Sequence, residues 1–115
     1  MGTEGTEIME KTIRTDTVDA FFDAIMQLRD KEELYSFFGD VCTTNEVVSI
    51  AQRFAVAKML HENRTYIEIA KATGASTATI SRVNRSITCG NGSYELIFER
   101  LQELESEQKQ KEELQ

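Results

Sequence analysis

Residues 66–88, YIEIAKATGASTATISRVNRSIT, decide the fold. Thr65 followed by Glu68 marks one helix start, and Ser76 ahead of a second period-3.6 run marks another. A hydroxyl at such a position accepts a backbone N–H from the first turn of the helix it precedes. Gly74 lies between the two runs, where the chain needs a left-handed residue to turn. Ala70, four residues earlier, is small enough to let two helices cross closely, and Ile69, Ile80 and Val83 supply the apolar contact between them. The spacing predicts two short helices joined by a tight turn, with the second running from Ser76 to about Ile87.

Outward from this stretch the pattern stays helical. Thr43 and Glu46 form a capping box that opens a long helix to about Glu62. Val47, Ile50, Ala51, Phe54, Ala55 and Met59 share one of its faces, while Val48, Val56 and Leu60 share another. A helix apolar on more than one side belongs at the centre of the packing. Asn63 is suited to end it in the left-handed region. Upstream, a helix starting near Asp16 carries Val18, Phe21, Phe22, Ile25 and Leu28 on one face. Asp30 and Glu33 restart the chain as a helix bearing Leu34, Phe37, Phe38 and Val41. Downstream, Cys89 to Gly92 reads as a flexible turn, and Ser93 caps a last helix with Tyr94, Ile97, Phe98, Leu101 and Leu104 aligned. Residues 1–14 read as a mobile arm, 15–106 as the folded domain and 107–115 as a polar tail on a fraying helix.

With 115 residues, no proline, many straight-chain helix formers and no strand-like alternation, the chain is expected to be one all-α domain of six helices. Five of the six phenylalanines fall on the first three helices. So many apolar faces on so short a chain predict a homodimer in which the first, second and sixth helices form much of the contact. There is no apolar run long enough to span a membrane and no export signal, so the expected location is the cytoplasm. Cys42 and Cys89 read as free thiols there.

The net charge of −7 argues against a nucleic-acid binder only when taken globally. Residues 1–42 carry −6, residues 43–91 carry +3 and residues 92–115 carry −4. Positive charge is concentrated in the segment holding the turn motif, and local potential decides where a polyanion docks. Residues 76–88 contain no Asp or Glu. Ser76, Thr77 and Ala78 are small groups able to approach base edges, and Thr and Ala can touch a thymine methyl. Ser81 lies one turn beyond Thr77. Lys71, Arg82 and Arg85 are placed to meet phosphates, with Gln52 and Asn84 as secondary donors. This is the pattern of a helix-turn-helix reading double-stranded DNA in the major groove. The competing reading is a helical hairpin in a protein-interaction module, its hydroxyls and arginines merely solvated.

The segment from Thr43 to about Gly92, with TTNEVVSIAQRF, TYIEIAKATGASTATISRVNRSI and CGNGSYE, resembles the YerC/YecD group of the Trp repressor superfamily. The surrounding helical pattern extends the resemblance to most of residues 16–105. It implies a six-helix fold, an intertwined homodimer, and a transcriptional repressor whose paired motifs read a palindromic operator. By the same resemblance, Arg53 and Arg82 match the two arginines of the tryptophan pocket, and Thr43, Thr79 and Ser86 match other positions lining it. Val83 stands where the tryptophan binder has a glycine against the indole. A branched side chain there overpacks the ring by roughly 1–3 kcal/mol, and the chain is one residue shorter near Asn63 to Thr65. Both departures argue against tryptophan. Arg53 and Arg82 are then left to pair with acids, phosphate or a different carboxylate effector, which keeps open a small-molecule-sensing regulator without tryptophan specificity.

Other chemistry finds little support. His61, Cys42 and Cys89 have no metal-ligand spacing, so no metal is expected. No nucleophile motif, paired catalytic carboxylates or phosphate loop is present, and neither an enzyme nor a cofactor is expected.

Overall fold

The computed structural model describes residues 11–114, and every regular element among them is helical. The helices are α1 (Asp16–Ile25), α2 (Lys31–Val41), α3 (Thr44–His61), α4 (Tyr66–Thr73), α5 (Thr77–Cys89) and α6 (Ser93–Glu113). The expected N-terminal arm lies largely outside the described residues, and its last part, residues 11–13, is helical.

The helix starts follow the side-chain caps. The Thr15 hydroxyl accepts from the Val18 N–H, the Asp30 carboxylate from Glu33, Thr43 from Glu46, Thr65 from Glu68, and Ser76 from Thr79. Each bond satisfies one donor that the first turn of a helix leaves without an intrahelical acceptor. At α2 the reciprocal bond differs from the expected box. The Glu33 carboxylate accepts from the N–H of Arg29 rather than of Asp30. At α6 the expectation fails: Ser93 is the first helical residue, and Gly92 precedes it in the left-handed region without a side-chain cap.

Asn63 ends α3 at φ 61°. The Arg64 N–H reaches the Met59 carbonyl and the Asn63 N–H reaches Leu60, the paired bonds of a Schellman motif. At the other end of the chain, α6 is continuous to Glu113. Its Glu, Gln and Lys residues are all good helix formers, which is enough to propagate a helix already nucleated on the core.

The core is small. Val56, Ala57, Ile69, Ala75, Ile80, Val83 and Phe98 are buried, with Met59, Leu60, Ala70, Ile87 and Tyr94 packed around them. All but two of these twelve come from α3, α4, α5 and the turn between the last two, and those segments pack closely on one another. Helix α6 contributes Phe98, whose ring sits 4.8 Å from the His61 imidazole and 5.6 Å from Phe54. Neither α1 nor α2 buries a residue. They hold to each other through Phe21, Phe37 and Phe38, whose ring centroids lie 5.8–6.3 Å apart.

A large apolar surface is left open. Met26 is 79% exposed and Tyr35 74%, and Val41, Val48, Ile50 and Leu104 are each at least half exposed. The chain exposes 9596 Å², against about 6400 Å² for a compact monomer of this mass. Its radius of gyration is 16.5 Å, against about 13 Å for a compact chain of this length.

Candidate nucleic-acid interface

Helix α4 ends at Gly74, which adopts φ 74° and returns its N–H to the Ala70 carbonyl at 2.9 Å. The turn is then stitched by one hydroxyl. Thr73 Oγ1 donates to the Ile69 carbonyl at 2.7 Å and accepts the Ala75 N–H at 3.2 Å. Ala75 is buried, so the turn is anchored in the core as well as hydrogen-bonded. Ser76 then opens α5, its hydroxyl accepting the Thr79 N–H and donating to Thr79 Oγ1, both at 3.1 Å.

Ile80, Val83 and Ile87 follow at helical spacing and face inward, the first two fully or nearly fully buried. The opposite side of α5 faces solvent. Thr77, Ala78, Arg82 and Arg85 are exposed, Ser81 and Asn84 are half-buried, and Lys71 is exposed on α4. Thr77, Ser81 and Arg85 are spaced one turn apart, as are Ala78 and Arg82, so these residues form a continuous outer strip. No acidic residue lies in the first turn of α5. Arg64 is paired with Glu68 at 3.3 Å. That is the only ion pair among the described residues, so the charges of Lys71, Arg82 and Arg85 are uncompensated by a neighbouring carboxylate. The N–H groups of Thr77 and Ala78 add a partial positive end to the same strip.

Two anticipated donors are otherwise engaged. The Ser76 hydroxyl is committed to the cap, leaving this residue only its backbone to offer a phosphate. Gln52 faces the turn, not solvent: its Nε2 donates to the Thr73 carbonyl at 3.0 Å.

The residues expected to line an effector pocket are variously placed within the chain. Val83 is 3% exposed and belongs to the core. Thr79 is bound to the Ser76 hydroxyl, and the Ser86 hydroxyl donates back to the Arg82 carbonyl. Arg53 and Arg82 are both exposed. Of that set only Thr43 lines one of the three principal cavities, an open groove of about 450 Å³ between α2 and α3 walled by Leu34, Tyr35, Phe38, Val47 and Val48. Cys42 and Cys89 are free thiols, and no cluster of metal-ligating side chains occurs among the described residues. No described helix is long and apolar enough to cross a membrane.

A tight turn anchored by buried Ala75, a short supporting helix and an acid-free outward helix are the parts of a helix-turn-helix, here mounted on the long α3. The sequence profile of the Trp repressor protein matches residues 16–102, spanning every helix from α1 into α6. The chain belongs to the Trp repressor family. It is 50% identical over 99 residues to the uncharacterised YerC protein of Bacillus subtilis (strain 168), covering 86% of this chain and 95% of that one. A TrpR-like protein of known structure from Eubacterium eligens ATCC 27750 shares 58% identity and superposes with a TM-score of 0.77, covering 79% of this chain and 94% of that one. A Trp-repressor candidate from Staphylococcus aureus shares 48% identity at the same TM-score of 0.77, covering 80% and 92% of the two chains. Members of the Trp repressor family are regulators.

Sequence reasoning missed three residues here. The Thr73 hydroxyl closes the turn. Ala75 is core. Ile67, 81% exposed and one turn before Lys71, is an apolar side chain on the solvent side of α4. Only Ile67 left a sequence signal: it falls outside the inward spacing that selects Ile69.

Proposed function

We propose that this protein is a sequence-specific DNA-binding transcriptional regulator, a repressor, that reads a palindromic operator as a homodimer. The observation that carries this reading is the outer strip of α5. It is exposed, has no acidic group, and displays Thr77, Ala78 and Ser81 for base edges beside Lys71, Arg82 and Arg85 for phosphates. Double-stranded DNA has a groove that accepts a helix and a charge that matches those cations.

Dimerisation is supported by the open apolar faces of α1, α2, α3 and α6. Met26, Tyr35, Val48 and Ile50 stand in water in the single chain, and a second copy would remove such apolar surface from solvent. The groove between α2 and α3 supplies a concave apolar seat. Two reading helices held about 34 Å apart enter successive major grooves on one DNA face.

Selection of bound sites from a randomised duplex pool tests the reading. The expected product is an inverted repeat. Recovery of unselected sequence from the pool would rule out operator recognition and leave the protein-interaction reading.

A further inference from the structure

We propose that Gln52 is a positioning residue for DNA reading: from the scaffold helix α3, its side-chain amide holds the turn of the helix-turn-helix and thereby sets the pose of α5. The inference rests on the DNA-reading function proposed above. Gln52 Nε2 donates to the Thr73 carbonyl at 3.0 Å, across 21 residues of sequence. That carbonyl belongs to the last residue of α4, where no intrahelical N–H remains to satisfy it. Thr73 carries the force onward. Its hydroxyl takes the Ala75 N–H, and the next residue, Ser76, caps α5 through Thr79. The chain of bonds therefore runs from the middle of α3 to the first turn of the reading helix, and each side chain in it is held by a hydrogen bond.

Apolar packing of Ile69, Ile80 and Val83 fixes the distance between α3 and the motif, but such contacts are non-directional. The Gln52 bond is directional and lies at the pivot. A glycine occupies the adjacent backbone position, with only the Gln52 amide near it: a Cβ built on Gly74 would come no closer than 4.0 Å to Nε2. No side chain packs against the outer side of this pivot, so the amide adds a directional restraint from α3 to those the turn makes within itself. Small misplacements there are magnified along α5, whose outer strip begins at Thr77 and ends at Arg85.

The test uses Gln52→Met, which keeps length and loses both polar atoms, and Gln52→Glu, which keeps shape and replaces the donor by an acceptor. Each full-length variant is assayed for affinity to the selected site, for affinity to a scrambled duplex, and for amide exchange at Gly74 and Ala75. Both variants are expected to lose about fivefold in the ratio of specific to non-specific affinity, the equivalent of one hydrogen bond. Binding to the scrambled duplex is expected to hold, because phosphate contacts tolerate a shifted helix. Exchange at the turn amides is expected to quicken while exchange in the middle of α3 does not. A purely structural role would lower both affinities together with the folded fraction and leave their ratio unchanged, which overturns the proposal. So would an unaltered Gln52→Glu variant. If the wild type selects no site, the DNA-reading function fails by itself, and turn exchange still decides whether Gln52 restrains the pivot.

Discussion

Thr43 and Glu46 hold each other in both directions: the Thr43 hydroxyl accepts the Glu46 N–H at 3.2 Å, and the Glu46 carboxylate accepts the Thr43 N–H at 2.8 Å. The box starts α3, the helix against which the whole motif packs. Replacing Thr43 with alanine is expected to cost about 1 kcal/mol of folding stability, read as a lowered denaturation midpoint with an unchanged denaturant slope.

The same pair predicts a pH effect. The Thr43 backbone N–H, and after it the hydroxyl, hold the Glu46 carboxyl below its ordinary value of 4.5. A carboxyl depressed on folding stabilises the protein above its unfolded value, and that contribution is lost as pH falls through the lowered folded value. The acid limb of the stability profile, below about pH 4.5, should therefore be shallower in Glu46→Gln than in the wild type. Parallel limbs would show that this box adds nothing to acid sensitivity.

Gly74 is at φ 74°, and no atom crowds the place where its Cβ would sit. Any cost of Gly74→Ala must come from the backbone conformation itself, about 1–2 kcal/mol. Gly74→Asn should cost less, because asparagine tolerates this region. Equilibrium unfolding of the two variants separates a backbone effect from a steric one, which would rank them by size.

Val83 lies in the core, so Val83→Ala is expected to destabilise the fold by about 1–3 kcal/mol, between the costs of losing one methyl and of truncating a larger side chain. Its bulk also occupies the place that the family resemblance assigns to an indole ring. Calorimetric titration of the wild type with tryptophan is expected to show no binding heat. A saturating isotherm would mean that the pocket forms in spite of Val83, for instance between subunits.

On the reading helix, the two kinds of contact should separate. Arg85→Ala is expected to weaken binding to all sequences and to reduce the slope of log affinity against log salt by about one. Thr77→Val is expected to change the selected bases with little effect on that slope. Equal loss of preference in both variants would argue against the division of the strip into base-reading and phosphate-holding parts.

Tyr35 and Val48 wall the open groove between α2 and α3. A Tyr35→Glu, Val48→Glu double variant should sediment as a monomer where the wild type sediments as a dimer, since two buried carboxylates without partners are costly. A variant that remains dimeric would place the subunit contact elsewhere.

Much of the fold was legible because its determinants are local. Caps at Asp30, Thr43, Thr65 and Ser76, the left-handed positions at Asn63 and Gly74, and the inward trio of Ile69, Ile80 and Val83 depend on neighbours within a turn or two. A period of 3.6 reports them directly. The Ser93 cap failed because Gly92 can adopt φ 79° and begin the helix without a hydroxyl, an option composition does not reveal. The candidate DNA strip was legible for the same local reason: an acid-free run on one helix has one outward face once its apolar positions are known.

By itself, then, the sequence determined the helices, most of their starts, the turn at Gly74 and the outward side of α5. Only the tertiary structure decided that Gln52 serves the turn instead of the surface, that Thr73 and Ala75 close it, and that Arg53 and Arg82 stand exposed. The reason is range. Capping and helical periodicity are set by bonds between residues three or four apart, whereas the partner of a long polar side chain is chosen by whichever distant segment folding brings within 3 Å of it.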